Sequence, residues 1–160
     1  MAKNADWRED AEALGIAMKL TDKFPEIFED LDLSKIRFVR NLASQAQKVG
    51  EVKPCGFPYD IDSPFAYYII IANNKWKELN EAQQTLSIMH LLYAIAPQGT
   101  DESSSNYAKT RRHDVQDFNV ILAAAGGRYD WMTPGVADLK NPLLADESAL
   151  LATLEEKGQI

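Results

Sequence analysis

The sequence contains one cysteine, Cys55, and two histidines, His90 and His113. A lone cysteine excludes an intrachain disulfide, and it excludes a zinc site built from thiolates, which needs several. It suits a reducing compartment. Long apolar runs are also missing. Phe65–Ala72 and Ile88–Pro97 fall well short of the roughly 20 residues of a membrane-spanning helix. Residues 1–10 carry no apolar segment of the secretory kind, so export by a signal of the chain's own is not expected. Positive charge is scarce, with 17 Lys and Arg against 24 Asp and Glu, a net charge of −7. A sequence-independent grip on nucleic acid needs clustered cations. The one such cluster is Lys109-Thr110-Arg111-Arg112. Neither nucleic acid nor a membrane is therefore an expected partner. The acidic residues are spread along the chain and read as a solubility device.

What is present fits one domain with a real core: 160 residues, 46% hydrophobic and 26% charged. Residues 5–29 read as one helix, with Ala11, Leu14, Met18, Thr21 and Phe24 near a helical period and Pro25 as its breaker. Leu33–Leu42 reads as a strand. Ile36, Phe38 and Arg40 point one way, Arg37, Val39 and Asn41 the other. Val49–Phe57 is a candidate second strand, and Pro54–Pro64 a loop. Phe65–Ala72 is the clearest strand. Its aromatic and β-branched residues on both sides predict a central position covered on both faces. Asn80 and Gln83 form a capping box that opens a helix running to Ala96. Gln98–Asn106 reads as a flexible loop. Arg112–Ala125 reads as a helix stopped by Gly126-Gly127. A linker over 133–141 and an amphipathic tail helix over 146–157 follow. Trp7, Trp76 and Trp131 read as core anchors.

The two histidines lie where metal chemistry would be expected. A helical H-E-x-x-H places two histidines on one face to grip zinc, and its glutamate serves as general base on the bound water. In Ile88-Met89-His90-Leu91-Leu92-Tyr93-Ala94, Leu91 stands in place of the glutamate and Ala94 in place of the second histidine. Leu91 accepts no proton and Ala94 binds no metal. His113 begins His113-Asp114-Val115-Gln116-Asp117-Phe118. The bland reading makes His90 a core histidine with hydrogen-bond partners and lets His113 cap a helix or pair with Asp117. Cys55 reads as a packed small residue, and Ser103-Ser104-Ser105 as a solvated loop.

The order of these pieces resembles the "putative phage metallopeptidase" family, small zincin-like proteins encoded by bacteriophages. The resemblance rests on Tyr68–Ile71, Trp76, Leu79, the helix with His90, and Arg111 to Phe118, within roughly 10–131. It implies that His90 and His113 descend from metal ligands and that Leu91 and Ala94 are degenerate positions. A zinc site would need a substitute ligand, for which Asp114, Asp117, Asp101 or Glu102 are at hand.

The expected fold is α+β: a minimal zincin-like domain over 1–131, with a small sheet against helices at 10–24, 80–96 and 112–125. A C-terminal extension over 132–160 carries a short helix. The leading expectation is a non-catalytic protein acting in binding or assembly, in the host cytoplasm or the virion, with no cofactor. Its partner would be a phage or host protein, or a second copy of the chain. Leu143, Leu144, Leu150, Leu151 and Leu154 have more apolar surface than a short tail buries alone, which marks them as an interaction tail. The alternatives are a divergent zinc metallopeptidase using His90, His113 and a carboxylate, and a plain cytosolic interaction protein.

Overall fold

Alternation along two strands sets the architecture. In the computed structural model, residues 6–55, 65–101, 103–111, 121, 124–125, 141–144 and 146–156 are described. Strands β1 (Trp7–Glu9), β2 (Ile36–Asn41), β3 (Gly50–Pro54) and β4 (Tyr67–Ala72) form one sheet in the order β1-β2-β4-β3. β2 and β4 run parallel in the middle, and both edge pairings are antiparallel. Ile36, Phe38 and Arg40 face inward, opposite Tyr67, Ile69 and Ile71, so both strands bury the same face. The opposite face of β4 holds Tyr68 and Ile70, both half-buried. β4 is central as expected, but among the described residues only its inner face is fully covered.

The inner face packs on α1 (Ala11–Lys23) and α3 (Glu81–Tyr93); a short helix α2 (Asn73–Trp76) follows β4 directly. The expected single helix over 5–29 divides in two. Trp7–Glu9 pairs with β2, and Asp10 then caps α1 by accepting the Ala13 N–H at 3.0 Å. Three exposed residues are too few to show a strand period. The buried stripe of α1 is Ala13, Ala17 and Leu20, continued by Phe24, while Leu14 and Met18 face outward. Small alanines let the helix sit close to its neighbours. Trp7 is 42% exposed and anchors nothing, whereas Trp76 is buried.

α3 opens on the expected capping box and is buried almost all round. It stops at Tyr93 rather than Ala96, because Ile95 leaves the helix to form a β-bridge with Thr110. The segment between them is tied down. Gly99 and Thr100 are buried, and the Thr100 hydroxyl accepts from Asp32 N–H and donates to the Asp30 carbonyl. Turns follow one another from Gln98 to Lys109. Composition suggested flexibility; the loop's own backbone bonds and two buried residues hold it instead. Of the helix expected over 112–125, only Ile121, Ala124 and Ala125 are described, all buried.

Arg40 is the charged residue among the inward-facing positions of β2, and it is 4% exposed. Its guanidinium donates from Nε and Nη2 to both Asp10 carboxylate oxygens, at 2.7 and 2.9 Å. It also donates to Glu12 at 3.0 Å and lies over the Trp76 ring. Trp76 Nε1 donates to the same Glu12 oxygen. A buried charge needs such a full set of partners. The cluster joins α1 and its cap, β2 and α2 in one knot.

The tail is not free. A 3-10 turn at Pro142–Leu144 and helix α4 (Glu147–Glu156) lie against the domain. Leu150 is 5% exposed, and Leu143 and Leu151 pack on the core. Glu147 Oε2 accepts the backbone N–H groups of Glu26 and Ile27 at 3.0 and 3.1 Å. These donors open the turn after α1, where no helix carbonyl reaches them. Three of the five leucines assigned to an interaction tail are therefore engaged within the chain. Leu144 is 81% exposed, and the Leu154 side chain lies outside the described residues.

Candidate functional site

The C-terminal half of α3 carries His90, Leu91 and the residues that lead to Ala94. His90 is half-buried, and its carbonyl accepts from Ala94 N–H at 3.0 Å, so the two positions sit one turn apart. Leu91 is 5% exposed. Its Cδ1 lies 3.1 Å from the point that a Cβ on Gly50 would occupy, beside Ile71. Leu91 thus packs beneath edge strand β3, which comes close because Gly50 has no side chain there. Ala94 is partly buried and packs against the core.

Beyond the 98–109 loop the chain returns to this helix end. Arg111 N–H donates to the Ala94 carbonyl at 2.7 Å, and Arg111 Nε donates to the Tyr93 carbonyl at 2.8 Å. The guanidinium lies 4.0 Å from the Tyr93 ring centroid, a cation–π contact. Beneath the loop, the Tyr67 hydroxyl donates to the Lys109 carbonyl. Burial pushes the Tyr67 pKa from 10.0 up to about 12. The bonds at Ala94, Tyr93 and Lys109 hold residue 111 against the end of the motif helix. His113, Asp114 and Asp117 lie outside the described residues, as does Glu102. Asp101 is exposed and accepts from the Ser103 hydroxyl and N–H; the hydroxyl bond in particular holds its carboxyl below the usual range.

Residues 5–140 match a family described as putative phage metallopeptidase. The chain belongs to this family. The match runs beyond the span on which the sequence motifs rest and takes in 132–140, leaving 141–160 outside it. No match was found among curated proteins or solved structures.

A metallopeptidase family implies a metal; of the ligands that the sequence offers, His90 and Asp101 are described, and His113, Asp114, Asp117 and Glu102 are not. A catalytic zinc takes about three protein ligands and a general base beside the first histidine. The motif reading puts the base position at Leu91, which packs under β3, and the second ligand position at Ala94, which packs against the core. No group of three His, Cys, Asp or Glu side chains converges among the described residues. None of the described helices is long and apolar enough to cross a membrane. The sequence motifs included Arg111, in the basic cluster and at the head of Arg111–Phe118, but gave no sign of its seat on Tyr93. They also missed the Arg40 cluster, although the alternation had already put Arg40 on the inward face.

Proposed function

We propose that this member of the family does not hydrolyse peptide bonds and acts as a protein-binding or assembly component, in the virion or in the host cytoplasm. The observation that carries the reading is Leu91. At the general-base position stands a buried apolar side chain engaged in packing helix α3 against β3. A leucine at that position accepts no proton.

The test is metal content and peptidase activity on protein purified without chelator. Expected are substoichiometric zinc and no zinc-dependent cleavage of unstructured protein substrates, with wild type and His113→Ala alike. Stoichiometric zinc that is lost in His90→Ala and His113→Ala, together with cleavage, would overturn the proposal in favour of a divergent metallopeptidase.

A further inference from the structure

A cavity of about 550 Å³ opens between the turn at 26–31, the end of α3 with the residues that follow it, and α4. This is within the size range of ligand sites. Leu92 and Tyr93 of the motif helix line it, whereas His90 and β3 do not. Its floor is apolar: Phe28 and Tyr93 meet edge to face with centroids 6.5 Å apart, beside the buried Leu92 and Ile95. One wall carries three exposed carboxylates, Glu26, Glu29 and Asp30. Arg111, seated on Tyr93, also lines the cavity. Leu151 of α4 contributes a further wall.

We propose that this cavity docks a short segment of a partner protein in which basic side chains alternate with apolar ones. The apolar floor takes the apolar side chains, and the carboxylate wall takes the basic ones. Arg111 fixes the polarity, since it repels a cation placed at its end. Charge complementarity of this kind sets partner choice and encounter rate. The wall supplied by Leu151 lies outside the family match. The inference rests on the protein-binding reading above and names the chemistry of the partner.

The test is a fluorescence-anisotropy titration of the full chain with two labelled peptides, one alternating lysine with leucine and one alternating glutamate with leucine. The lysine peptide should bind and the glutamate peptide should not. The triple variant Glu26→Gln, Glu29→Gln, Asp30→Asn should bind the lysine peptide about tenfold more weakly. A control triple, Glu51→Gln, Glu78→Gln, Glu81→Gln, removes the same net charge elsewhere and should bind as wild type does. On binding, NMR signals of Leu31, Ile95 and Leu151 should shift. Equal binding of both peptides, equal loss in the two triples, unmoved signals at those residues, or no binding would each overturn the proposal. Recovering the peptide and weighing it by mass spectrometry separates the two readings. Cleaved peptide overturns the non-catalytic function and leaves docking standing, whereas intact peptide without binding overturns docking alone.

Discussion

Leu91 ties the proposed loss of catalysis to stability. A carboxylate in its place would sit buried against Gly50 and Ile71. Leaving a buried charge uncompensated costs about 3–5 kcal/mol. Leu91→Glu combined with Ala94→His restores the complete motif on paper. It should lower unfolding stability by about that amount in a denaturant titration, while Leu91→Met, near in volume, should cost less than about 1.5 kcal/mol. A double variant with wild-type stability, bound zinc and activity would show that the position never became a packing position. The same residue also marks how far the sequence could be read. The missing glutamate was legible from the motif alone. That the leucine fills space under an edge strand was not, because the close approach depends on Gly50, some forty positions earlier in the chain.

At the scale of elements, the loop after α3 is held by one pair of tight neighbours. A Cβ on Gly99 would come 2.2 Å from the Tyr67 hydroxyl and 2.8 Å from the Ala96 carbonyl oxygen. Gly99→Ala should therefore destabilise by about 1–3 kcal/mol. In a Tyr67→Phe background the penalty should shrink, because the atom that meets the new methyl is gone. A double-mutant cycle on unfolding free energies reads that coupling, and additive losses would refute the contact. The Tyr67 pKa also fixes a pH window. Its folded value lies above the ordinary 10.0, so its contribution to stability is complete below pH 10 and is lost as pH rises through about 12. Melting temperature should fall faster across that window in wild type than in Tyr67→Phe. Elements with a clean period were legible beforehand: β2, β4 and the capped start of α3. β1 was not, since Trp7–Glu9 is a strand only because β2 pairs with it. The early end of α3 was not either, since it depends on Ile95 meeting Thr110 across the loop.

Across the whole molecule, the tail behaves as part of the domain. Leu150 is as buried as Leu91, and the neighbouring Glu147 caps the turn after α1. Leu150→Ala should cost about 2–4 kcal/mol of global stability and keep a single unfolding transition seen by both fluorescence and circular dichroism. An early separate transition, with the main one unmoved, would mean that the tail folds on its own account. The sequence marked these leucines as wanting cover; it could not say that α1 and α3 meet the turn at Pro142–Leu144. The capping bond from Glu147 to Glu26 spans 121 residues. Synthesis runs from the N-terminus at about 5–20 residues per second. The turn behind the first helix must therefore wait, its donors open to water, until the ribosome has made Glu147. The nascent chain carries that unsealed turn through the 121 residues of synthesis between the two partners.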